Sequence, residues 1–136
     1  SDGLKVTLYH GDDKPLFDSD SSQLTNHGRK VMQRMSWLLS QHVLTYRIDS
    51  HSMDLSNQTL DHAKVEWELS LYQAMEVTRA LDHYSSGELE GKLERMTGHG
   101  ATKPNRIRFP NRKDKNRRVE LSLVLDVSEE DLAKYR

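Results

Sequence analysis

The side chains best suited to chemistry lie together in one short stretch, Ser50-His51-Ser52-Met53-Asp54. It closes an alternating segment, Tyr46-Arg47-Ile48-Asp49-Ser50, whose period of two reads as a strand. His51 and Ser52 offer donors, and Asp49 and Asp54 offer negative charge. A polar turn at the carboxyl end of a strand, met by a helix coming back, makes a cleft for a small polar ligand. Backbone N–H groups, hydroxyls and a carboxylate converge there. The same residues also read as an ordinary strand-end turn capped by its own side chains.

Catalysis fits less well. Ser50, His51 and Asp54 are the residue types of a triad, but they are nearly consecutive, and a triad draws its members from separate elements. There is no Gly-x4-Gly-Lys-Ser/Thr loop and no Gly-x-Ser-x-Gly elbow. The seven histidines (His10, His27, His42, His51, His62, His83, His99) form no His-x3-His or His-Glu-x2-His pair. With no cysteine present, thiolate metal sites and disulfides are excluded. The expectation is a binding domain with no cofactor and no metal, and not an enzyme.

The elements that must position this turn come from 136 residues, enough for one domain with one core (about 4–125) and a C-terminal extension at 126–136. Hydrophobic residues make up 35% and charged residues 30%, and no apolar run reaches the roughly 18 to 20 residues of a membrane span. The chain begins at Ser1 with no visible signal peptide, as a processed product would. Net charge is −1, which argues against a nucleic-acid binder. Residues 103–118 nevertheless carry eight cations against one acid, or +7, which leaves −8 for the remainder. That segment reads either as a solvated loop or as a patch for an anionic surface.

Leu4, Val6 and Leu8 alternate with polar residues as in a half-buried strand. Residues 11–15 read as a turn. Thr25 is placed to cap a helix whose apolar face is Val31, Met32, Met35, Leu38 and Leu39, running to about Gln41. Leu44, Tyr46 and Ile48 form the inward face of a second strand. Residues 55–64 read as a loop, and a second helix is expected from Trp67 to about Tyr84, facing inward with Ser70, Ala74, Val77, Leu81 and Tyr84. Leu71, Met75 and Thr78 form a weaker stripe, either a wider core face or a partner surface. A third strand follows at 93–97, then Gly98-His99-Gly100 and the basic segment. A last strand runs from Val119 to Leu125, and 128–136 reads as a short capped helix. The order is βαβαββ, an α/β (α+β) two-layer sandwich with both helices on one face of a small mixed sheet.

Five segments together resemble the OmpA-like, peptidoglycan-associating domain, above all the C-terminal domain of MotB-type stator subunits. They are LFDSDSSQLTNHGRKVM from Leu16, IDSHSMD from Ile48, WELSLYQA from Trp67, GHGATKP from Gly98 and KNRRVELSLV from Lys115. The third is similar to the stator pattern Asn-Trp-Glu-Leu-Ser-x-x-Arg-Ala, and the fourth to Gly-Tyr-Gly-x-x-x-Pro. The last closely matches Lys-Asn-Arg-Arg-Val-Glu. Each alone is weak, but five in order across nearly the whole chain are specific.

The resemblance implies a periplasmic domain that grips the stem peptide of peptidoglycan, forms homodimers and serves a membrane channel. Tethering to the inner membrane would come from an N-terminal helix, absent from this chain, that meets a channel partner subunit. In the family an aspartate in the turn and an arginine in helix two hold the charged groups of diaminopimelate. A bidentate arginine–carboxylate pair is directional, and the aspartate takes the ammonium.

Carried over residue by residue, the implied site is His51, Ser52, Met53, Asp54, Leu69 and Gln73, with Asn116, Arg117 and Arg118 as structural or further binding residues. This sequence departs from the family at the charges. Met53 stands at the aspartate with Asp54 one place late, Gln73 stands at the arginine, and Ser50 replaces the turn's glycine. Asp54 is expected to replace the displaced carboxylate in part. Losing two charged hydrogen bonds weakens binding by roughly one to two orders of magnitude. Two functions follow from this reading. One is wall anchoring of a stator or secretion-system channel subunit. The other is a degenerate module that docks or dimerises through the Leu71/Met75/Thr78 stripe. Arg117 or Arg118 is expected to pair within the chain, with Asp18, Asp20 or Asp49.

Overall fold

A computed structural model describes residues 3–11, 13–52, 60–101 and 117–125. The terminal helix expected at 128–136 and most of the basic segment lie outside them. The elements are β1 (Gly3–Tyr9), α1 (Asn26–Ser40), β2 (Leu44–His51), α2 (Leu60–Tyr84), β3 (Leu93–Gly98) and β4 (Arg118–Leu125). The βαβαββ order is as the sequence implies. The sheet order is β1-β4-β2-β3, with β4 antiparallel to both its neighbours and β3 parallel to β2.

β2 is interior, and its period of two sorts its side chains. Leu44, Tyr46 and Ile48 are buried and register against Leu125, Leu123 and Leu121 of β4. Thr45, Arg47, Asp49 and His51 alternate with them and belong to the opposite face. α2 packs over β2 and β3, and α1 packs on α2. Ser36 ties the two helices by donating to the Leu81 carbonyl at 3.1 Å.

Thr25 caps α1 as expected. Its hydroxyl accepts from Gly28 N at 2.9 Å and donates to the Pro15 carbonyl at 2.6 Å. The cap thus ties the helix start to the segment ahead of Leu16 and Phe17, both buried. Gly28 lets α1 approach that segment, because a β-carbon there would stand 2.2 Å from the Leu16 carbonyl oxygen.

Two sequence expectations need correction. α2 begins at Leu60, not Trp67, so the loop read at 55–64 is helical from residue 60. Asp61, Lys64 and Val65 there are exposed, and the largely polar sequence of 55–64 reads as loop. Leu38 is 43% exposed, and Ser36 is buried in its place on the inner side of α1. Ser70, Ala74, Val77 and Leu81 are buried on the inner face of α2 as expected, and Trp67 is 47% exposed. Leu71 and Met75 are 41% and 46% exposed, so that stripe is a surface and not a wider core.

Candidate functional site

The end of β2 is pinned by the Gly98-His99-Gly100 segment. Ser52 N donates to the Gly100 carbonyl at 2.8 Å, and His99 N donates to the Ser50 carbonyl at 2.9 Å. Gly100 N in turn donates to Ser70 Oγ of α2 at 2.9 Å. Three elements therefore share one hydrogen-bonded corner. Both glycines are required by space. A β-carbon on Gly98 would lie 2.5 Å from Leu71 N, and one on Gly100, at φ +57°, would lie 2.7 Å from the Trp67 ring.

Against this corner lies a cleft of about 350 Å³, counting its open mouth, with room at its floor for about one water-sized group. His51, Ser52, Leu69, Gln73, Arg117 and Arg118 all line it, so the expected site residues on described positions are brought together. His10, Leu16, Phe17, Ser19, Asp20, Glu66 and Val119 complete the wall. Met53, Asp54 and Asn116 lie outside the described residues.

The charges in the wall are arranged in pairs. Arg117 Nη2 meets Asp20 at 2.8 Å, and buried Arg118 Nε donates to Glu120 at 2.7 Å. Both arginines thus pair within the chain, Arg117 with one of the expected acids. Asp49, also expected as a partner, instead meets His99 Nε2 at 2.5 Å. Gln73 sends its amide N–H to the Ser21 carbonyl at 3.0 Å. The residue at the family's arginine position is thereby engaged in holding the acidic loop, and together with Arg117 it fixes one wall of the cleft.

His51 is buried and stacks on His99 with ring centroids 4.5 Å apart. Burial lowers its pKa to about 4, helped by the Arg118 guanidinium and opposed by Glu120. Its 3.5 Å approach to Glu120 is therefore that of a neutral ring at neutral pH, not an ion pair. Burial pushes the Glu120 carboxyl up, but hydrogen bonds from Lys5 and Arg118 outweigh it and hold the group below its usual range.

Sequence reasoning missed Glu66. It lies one residue before Trp67, where the stator pattern has asparagine, and that mismatch was the available signal. Its Oε2 is buried and has no hydrogen-bond partner, as are Ser52 Oγ and His51 Nδ1. Among the described residues no group of three or more histidines and carboxylates could hold a metal ion.

This geometry has known counterparts. The periplasmic domain of Helicobacter pylori MotB superposes with a TM-score of 0.68 at 21% identity, covering 98% of this chain and 88% of that one. A putative MotB-like protein from Desulfovibrio vulgaris gives 0.71 at 22% identity, covering 91% and 76%. The cell wall anchor of the T6SS from Pseudomonas aeruginosa gives 0.70 at 23% identity, covering 91% and 82%. At these identities the likeness is one of fold. No curated protein sequence matches the chain. The OmpA family profile matches residues 16–118, most of the chain, and with the fold this establishes that the chain belongs to the OmpA family.

Proposed function

We propose that this chain is a periplasmic, peptidoglycan-associating domain of a MotB-like ion-channel or stator subunit, and that the cleft beside Ser52 receives the stem peptide. The carrying observation is that His51, Ser52, Leu69, Gln73, Arg117 and Arg118 line one cleft at the end of an interior strand in an OmpA-family fold. Resemblance to both MotB domains and a T6SS wall anchor supports either a flagellar or a secretion-system host. No helix among the described residues is long and apolar enough to cross a membrane. Tethering to the inner membrane, contact with a channel partner and homodimerisation accordingly rest on the family reading.

The test is co-sedimentation with purified peptidoglycan sacculi at low and high salt. The parent should bind weakly. Met53→Asp with Gln73→Arg should tighten binding roughly tenfold, because an ammonium and a carboxylate regain charged partners. Added salt should shrink that gain in an open cleft. A parent that stays in the supernatant under all conditions would overturn wall anchoring. The second reading, protein–protein docking, would then lead. It draws on Leu71, Tyr72 and Met75, which are 41%, 52% and 46% exposed on α2.

A further inference from the structure

Every lining charge of the cleft described above meets an opposite charge except one. Arg117 faces Asp20, and Arg118 faces Glu120. Glu66 has no ion-pair partner among the described residues, and its Oε2 is buried without any hydrogen bond. Leaving a carboxylate oxygen dry and unpartnered is costly, so a site built this way favours a cation in the gap. Ser52 offers a second acceptor. The residue lines the same cleft at 4% exposure, and its Oγ too is buried without a partner. The floor admits about one water-sized group, which is the size of an ammonium head and too small for a guanidinium. An ammonium brings three N–H donors and no acceptor, matching a wall of bare acceptors.

We propose that Glu66 is the specificity-determining acid of this cleft, receiving the primary ammonium of a diamino-acid side chain with Ser52 Oγ as a second acceptor. The proposal rests on the wall-binding reading and deepens it. A carboxylate delivered from α2, one residue before Trp67, here performs the charge recognition that the turn performs when position 53 is aspartate. Glu66 then supplies, from α2, the negative charge that the family carries at the position of Met53. The positive side is not restored in the same way, since Gln73 is spent on the Ser21 carbonyl. The site therefore selects for the amine of its ligand more than for the carboxylate.

The experiment compares native sacculi with sacculi whose free amines have been capped by N-acetylation. Parent protein and the variants Glu66→Gln and Glu68→Gln are each sedimented with both. The parent should lose roughly tenfold or more in affinity on the capped wall, since a charge-assisted hydrogen bond is replaced by a neutral amide. Glu66→Gln, which keeps size but not charge, should bind both walls equally, at the weakened level. Glu68→Gln, which removes an exposed acid of α2 that does not line the cleft, should keep the parent's preference for the native wall. Parent binding that ignores acetylation overturns the proposal without any variant having to fold. So does a Glu66→Gln protein that retains the preference, or a Glu68→Gln protein that loses it. In those cases wall binding itself stands. A parent that binds neither wall overturns both readings together.

Discussion

The two faces of β2 solve different problems with one backbone. Inward, Leu44, Tyr46, Ile48 and Ser50 are buried beneath the helices. Outward, Arg47 meets Glu94 at 2.8 Å, Asp49 meets His99 at 2.5 Å, and His51 lies near Glu120, itself held by Lys5 at 2.6 Å. Apolar burial is non-directional and scales with area, so the inner face supplies most of the stability. Charge pairs are directional, and an exposed one such as Arg47–Glu94 is screened, so the outer face supplies less stability than the inner and sets a pattern of charge. The faces meet at the carboxyl end of the strand, where buried His51 and Ser52 enter the cleft. The cleft therefore inherits rigidity from one side and charge from the other.

The sharpest way to break this contrast is Ile48→Ala. Ile48 is fully buried, and its truncation should cost about 3 kcal/mol through lost transfer energy and the cavity left behind. Denaturant melts check this, and a loss below about 1 kcal/mol would mean that the inner face is not the core.

The next effect comes from the outer face and depends on pH. His51 is held neutral, with its folded pKa near 4 against an ordinary 6.5. The unfolded chain therefore binds the proton first, and stability is present above pH 6.5 and lost as pH falls toward 4. The loss should be about 2 kcal/mol, discounted from the full shift because the outer face is partly wet. Glu120 adds a loss of the same sign at lower pH, as its depressed carboxyl is protonated. Urea midpoints at pH 7 and pH 4.5 should fall further apart for the parent than for His51→Gln.

The smallest effect separates two neighbouring arginines. Arg118→Ala strips a buried partner from Glu120, whose residue is only 8% exposed, and should cost about 1.5 kcal/mol. Arg117→Ala loses a pair to Asp20, whose side chain is 76% exposed, and should cost below about 0.5 kcal/mol. If both melt like the parent yet release sacculi, the two arginines are ligands first and structural second.

Much of this was legible before any coordinates. Alternation of Leu44, Tyr46 and Ile48, the Thr25 cap and the inward face from Ser70 to Leu81 are local patterns, repeating at 2 or 3.6 residues along the chain itself. They were enough for the βαβαββ order and, with five short segments, for the family. The corner residues His51, Ser52, Leu69 and Gln73 could be named because they sit inside those segments.

What only the tertiary structure decided were relations between residues far apart in sequence. The start of α2 at Leu60 was not legible, because the stretch ahead of Trp67 is largely polar and reads as loop. The placement of β4 between β1 and β2 puts Arg118 beside His51 and Glu120 beside Asp49, contacts that no spacing along the chain encodes. Pairing of Arg117 with Asp20 and the bond from Gln73 to Ser21 join segments 97 and 52 residues apart. Glu66 drew no reading from the sequence, and only the fold made it a wall residue of the cleft with one buried, unpartnered oxygen. Periodicity reports which face of an element is buried, whereas charge partners depend on which elements meet, and only the closed fold specifies that.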